Sequence, residues 1–152
     1  MKQVQFSRRE AMVLGAGAAT VTLLGGVTGA LAATATDDAI NAFTGGATPS
    51  EGKITLGAPE IAENGNTVPI DVSVESAMTD DDHVESVLVL ADGNPNPGVA
   101  TFHFTPMSGD ATAATRIRLA STQNVVAVAK MKDGSVYMAK REVKVTIGGC
   151  GG

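Results

Sequence analysis

Between Lys53 and Ile147 the chain falls into seven short runs of strand-forming residues separated by turn residues. That rhythm limits the fold more than any other feature. In "KITLGAP" Ile54 and Leu56 share one face, and in "TVPIDVSVES" Val68, Ile70, Val72 and Val74 share one face. The runs "HVESVLVLADG", "GVATFHFTP", "AATRIRLAST", "NVVAVAKMKDG" and "SVYMAKREVKVTI" follow, with turn signals at Asn64-Gly65, Asp92-Gly93 and Asp133-Gly134. The expectation is an all-β, immunoglobulin-like β-sandwich over residues 36–147. Because tryptophan is absent and cysteine occurs once, the disulfide core of antibody domains is excluded, and "immunoglobulin-like" describes architecture only. Ahead of the strands, Asp38–Phe43 predicts a short helix capped by Thr36 or Asp37 and ended by the glycines, proline and serine of 45–50. "TPMSGDATAAT" at 105–115 reads as an exposed connection, and the chain has no internal repeat or second domain.

Residues 1–35 read as an export segment instead of a part of the fold. Lys2, Arg8 and Arg9 precede an apolar, glycine-containing stretch from Ala11 to about Ala32, and "ALA" at 30–32 or "ATA" at 33–35 offers a cleavage signal. Ser7-Arg8-Arg9 points to twin-arginine export, although Ala11 and Met12 stand where that signal usually has Phe-Leu. The competing reading is an N-terminal membrane anchor. Cleavage after Ala35 leaves a periplasmic protein with no membrane segment. It also removes three basic residues and one acidic residue, leaving eight basic residues against fifteen acidic ones. Such a surface is unsuited to nucleic acid, whose phosphates require clustered Lys and Arg.

Disulfides persist in the periplasm, yet a chain with one cysteine cannot make an internal bridge. Cys150 lies between Gly148-Gly149 and Gly151-Gly152, beyond the last strand run. Four glycines remove side-chain bulk and free the backbone, so residues 148–152 are expected to form a flexible arm whose thiol can enter narrow sites. No second cysteine at CxxC spacing, adjacent histidine or helix N-terminus is there to lower the thiol pKa, as a self-sufficient nucleophilic enzyme would need. The residues alone leave three readings of Cys150: a covalent carrier thiol, a lipid or metal attachment point, and an incidental tail cysteine.

The remaining candidates favour plain structural roles. Asp80, Asp81, Asp82 and His83 weakly imitate a hard-metal cluster but fit a solvated acidic loop, so no metal site is expected. His103 alternates with Phe102 and Phe104 and belongs on the opposite strand face from both rings; Arg116 and Arg118 share a solvated face opposite Ile117 and Leu119. The scarce aromatic and methionine residues (Phe102, Phe104, Tyr137, Met107, Met131, Met138) suit a core, and their scarcity fits a strand face covered by another subunit. The glycine pairs lack the spacing and lysine of a phosphate loop.

The closing "KVTIGGCGG", together with "EGKITLGAPEIAENGNTVPIDVSVES", "GNPNPGVATFHFTP" and "TRIRLASTQNVVAVAKMKDGSVYMAK", resembles the SoxY family of sulfur carriers over essentially all of the exported chain. The resemblance implies an immunoglobulin-like sandwich in a heterodimer with SoxZ, a non-catalytic role, and no tightly bound cofactor. It further implies that Cys150 is joined to the sulfane sulfur of thiosulfate by the haem-containing SoxAX, giving a cysteine S-thiosulfonate. SoxB, a metal-dependent hydrolase, would then release sulfate and leave a persulfide, which SoxCD oxidises where present. A disulfide-linked dimer through Cys150 is a further expected form. The rival from another class is a periplasmic adhesion or assembly module in which Cys150 only crosslinks; a small thiol enzyme is a third.

Overall fold

The computed structural model describes residues 27–149. Arg8 and Arg9 at one end, and Cys150, Gly151 and Gly152 at the other, lie outside the described residues. One helix, α1 (Val27–Thr44), precedes eight strands: β1 (Ile54–Gly57), β2 (Ile61–Asn64), β3 (Val68–Val74), β4 (Val84–Ala91), β5 (Gly98–His103), β6 (Ala111–Ile117), β7 (Gln123–Met131) and β8 (Val136–Ile147). They form a three-stranded sheet in the order β1-β3-β6 and a five-stranded sheet in the order β2-β8-β7-β4-β5.

Alternation in β3 puts Val68, Ile70, Val72 and Val74 on the inner face, where they meet Val87, Val89, Val125, Ala127, Ala129 and Val143 of the larger sheet in one apolar core. Two sheets therefore share a single interior. β4 and β7 behave differently from β3, because their runs "VLVLA" and "VVAVA" are apolar at consecutive positions. A strand of that kind is buried on both faces. The second face of these strands, with Leu90, Val126 and Val128, is covered by Ala39, Ile40 and Phe43 of α1.

The helix is longer than the expected 38–43. Ala30, Leu31, Ala32, Ala33 and Ala35 are strong helix formers that continue the same turn pattern upstream. Thr36, Ile40, Phe43 and Thr44 recur at the spacing of one helical face and are buried or half-buried. Among the described side chains, Ala39, Ile40 and Phe43 seat the helix on the sheet. Its C-terminus closes with Gly45 at φ 67° and the Gly46 amide donating to the Asn41 carbonyl at 3.1 Å, the bond pattern of a glycine-terminated helix.

Two further expectations need correcting. There are eight strands instead of seven, because Ile61–Asn64 is a strand that pairs in parallel with the end of β8. The turn expected at Asn64-Gly65 is present at residues 65–66, and it carries the chain from β2 in one sheet to β3 in the other. Finally, β6 begins at Ala111 inside the expected connection and stops at Ile117, because Leu119 directs its backbone bonds to other partners described below.

Candidate functional site

β8 is twelve residues long and changes neighbour along its length. From Val136 to Val143 it pairs antiparallel with β7; from Lys144 to Ile147 it pairs in parallel with β2. Where the β7 ladder ends, at Gln123↔Val143, the connection 118–122 takes its place, and the Val145 amide donates to Thr122 Oγ1 at 2.9 Å. The strand carrying the C-terminus thus runs out between β2 and this connection.

Three segments are tied together where it ends. The Gly65 amide donates to the Ile147 carbonyl at 2.8 Å, the Leu119 amide to the Gly65 carbonyl at 2.8 Å, and the Gly149 amide to the Leu119 carbonyl at 2.9 Å. Leu119 is fully buried in the core, and Gly65 and Gly149 are buried beside it. The glycines are sterically required. A Cβ on Gly148 would lie 2.2 Å from the Ala120 carbonyl oxygen, and one on Gly65 would lie 2.2 Å from that of Leu119 and 2.7 Å from the Gly149 nitrogen. A Cβ on Gly149 would approach the Gly65 oxygen to 2.9 Å.

Of the two glycines expected at the root of a flexible arm, Gly149 is buried and bonded to the domain in this structure, while Gly148 is exposed but passes close to the Ala120 carbonyl. Their lack of a side chain permits close backbone approach as well as conformational freedom. Cys150 follows Gly149 directly in the chain. Gly65, Leu119 and Ala120 are the site residues that the sequence reading missed. The one sequence signal among them is Gly65, which also fits its plain role as a turn residue after Asn64.

The other candidates stay apart from this site. His83 sits before β4 with Nδ1 2.9 Å from the Thr79 carbonyl, and among the described residues no group of three or more His, Cys, Asp or Glu could hold a metal ion. His103 is exposed on β5 while Phe102 and Phe104 pack on the core. Arg116 and Arg118 are exposed, with Ile117 and Leu119 buried between and beyond them. At the opposite end of β8, Asp133 accepts from Ser135 Oγ at 2.6 Å and from the Ser135 amide at 2.8 Å. These bonds hold its carboxyl below the ordinary value.

The family described as "Sulfur oxidation protein SoxY" matches residues 40–150, from the sheet-facing part of α1 to the single cysteine. The chain belongs to the SoxY family. The sulfur carrier protein SoxY from Chlorobium limicola f thiosulfatophilum superposes with a TM-score of 0.65 at 35% identity, covering 78% of this chain and 97% of that one. Superoxide reductase (neelaredoxin) from Ignicoccus hospitalis is similar at a TM-score of 0.55 and 18% identity, over 62% of this chain and 80% of that one. Superoxide reductase from Nanoarchaeum equitans reaches 0.51 at 12% identity, over 63% and 94%. These two likenesses concern the fold alone. No match is found among curated proteins. As a SoxY-family member the chain is a sulfur-carrier protein, and its role is non-catalytic.

Proposed function

We propose that Cys150 is the carrier thiol and that it holds sulfur intermediates of thiosulfate oxidation while partner enzymes act on them. The observation that carries this reading is the family match itself, which runs through Gly148-Gly149 to residue 150. The chemistry has three steps. In the first, the Cys150 thiolate and the sulfane sulfur of thiosulfate form an S–S bond, and two electrons leave to the haem partner SoxAX; the product is a cysteine S-thiosulfonate. Hydrolysis by SoxB adds one water, cleaves the S–SO3 bond, releases sulfate and leaves the persulfide. SoxCD, where present, oxidises the outer sulfur with oxygen from three waters and takes up six electrons, and a second hydrolysis by SoxB then releases sulfate and returns the Cys150 thiolate. The protein contributes the thiol and its presentation, and the redox and hydrolytic groups belong to the partners.

SoxZ is the proposed heterodimer partner, the immunoglobulin-like sandwich the proposed architecture, and the periplasm the proposed compartment, reached through Arg8-Arg9 and cleavage after Ala35. A lone cysteine protects the persulfide, since a second internal thiol would discharge it by exchange. The Cys150→Ser variant tests the reading. Unchanged folding and SoxZ pairing with complete loss of sulfur loading supports it; loss of the assembly on the same substitution supports a crosslinking module instead.

A further inference from the structure

The connection between β6 and β7 is held by two buried side chains that the carrier chemistry does not use. Asn94, 2% exposed, lies in the loop after β4. Its Nδ2 donates to the Arg118 carbonyl at 2.8 Å, and its Oδ1 accepts from the Ala120 amide at 3.0 Å. It also accepts from Gln123 Nε2 at 2.8 Å, and the same Nε2 donates to the Ser121 carbonyl at 3.1 Å. Gln123 Oε1 takes the Gly93 amide at 2.7 Å, which ties the pair back to the loop carrying Asn94.

The division of bonds around Leu119 is the informative feature. Its own amide and carbonyl face Gly65 and Gly149, while the flanking Arg118 carbonyl and Ala120 amide both face Asn94. Asn94 thus occupies the place of a neighbouring strand on one side of this residue, and Gly65 with Gly149 occupies the other. Buried polar groups tied in this manner hold one geometry, because any displacement leaves a donor or acceptor unpaired away from water.

We infer that Asn94 and Gln123 are positioning residues for the carrier cysteine: they fix the 118–121 backbone as a seat for Gly148 and Gly149, and so set the point where the arm leaves the domain. This rests on the carrier reading of Cys150. With Gly149 seated between Gly65 and Leu119, the described chain ends at a fixed point of the domain, one residue before the cysteine in sequence. Partner enzymes then meet the thiol at a defined place on the surface, and the arm pivots after Gly149, not after Ile147.

Amide hydrogen exchange and loading kinetics on the full exported chain, in complex with its partner subunit, test the inference. Asn94→Asp and Gln123→Glu preserve shape but replace the donors aimed at the Arg118 and Ser121 carbonyls; Gly65→Ala attacks the seat without touching the network. In the unsubstituted protein the Gly149 amide should exchange about a hundredfold or more slower than a free glycine. Each variant should lower that protection about tenfold or more, with Val125 and Val143 still protected. Loading from thiosulfate by the oxidising partner should show a raised KM for the carrier with kcat retained, and alkylation of Cys150 by iodoacetamide should not slow. A Gly149 amide that exchanges freely in the unsubstituted protein overturns the seat. Protection that survives Asn94→Asp and Gln123→Glu overturns the role of the two side chains; if one of these variants does not fold, the other decides. Unsubstituted protein that is protected at Gly149 yet never loads with sulfur leaves the seat standing and refutes the carrier reading, and loading with an unprotected Gly149 does the reverse.

Discussion

At the residue scale, the glycines before the cysteine are distinguished by what a methyl group would strike. A Gly148→Ala Cβ would lie 2.2 Å from a backbone oxygen, which cannot swing aside as a side-chain tip does. Either the seat opens or the strand end shifts, and overpacking of this kind costs about 1–3 kcal/mol. Urea unfolding of Gly148→Ala should show that loss; a midpoint equal to that of the unsubstituted protein would mean the close approach is not maintained in solution. Asp133 supplies a pH test. Its folded pKa is depressed by the two Ser135 bonds, so the stabilisation is present above the ordinary carboxylate value and is lost as pH falls through the lower folded one. A carbon-13 titration should find Asp133 below the usual range and Ser135→Ala should move it back up; no movement would remove the hydroxyl as the cause. Cys150 stands out in the sequence as the candidate because it is the chain's only cysteine and has glycines on both sides. The seat was not, because it is built of backbone groups from residues 65, 119 and 149, which no side-chain pattern brings together.

At the element scale, strands whose residue pattern matches their environment could be read directly. β3 alternates because one face is buried, and β4 and β7 run apolar because both faces are. β2 escaped notice since four residues ending in a turn signal carry no period, and its parallel partner lies some eighty positions away. The helix was read short because its alanine-rich beginning also satisfies an export segment. Its contact with the larger sheet gives a measurable consequence: Phe43→Ala removes a half-buried ring from Leu90, Val126 and Val128 and should cost about 1–2 kcal/mol. Leu119→Ala reaches the fully buried anchor of the seat and should cost about 2–5 kcal/mol. Chemical denaturation ranks the two, and a larger loss for Phe43 than for Leu119 would contradict the assigned packing.

At the scale of the whole molecule, the fold ends its last strand at a backbone junction and leaves a cysteine one residue beyond it. The larger sheet is covered on one face by the smaller sheet and on the other by α1, so the outer-face cover that scarce aromatics suggested comes, for β4 and β7, from the chain's own helix. Replacing Arg8 and Arg9 together with lysine should abolish export and leave the precursor in the cytoplasm on fractionation; normal delivery would refute twin-arginine export. The central claim, that Cys150 carries the sulfur, is tested most directly by the intact mass of the exported protein after incubation with thiosulfate and the oxidising partner, before and after reduction, with fragmentation to locate the adduct. The expected result is a reducible thiosulfonate or persulfide mass confined to the C-terminal peptide containing Cys150. A free, unmodified thiol under the same conditions would contradict it.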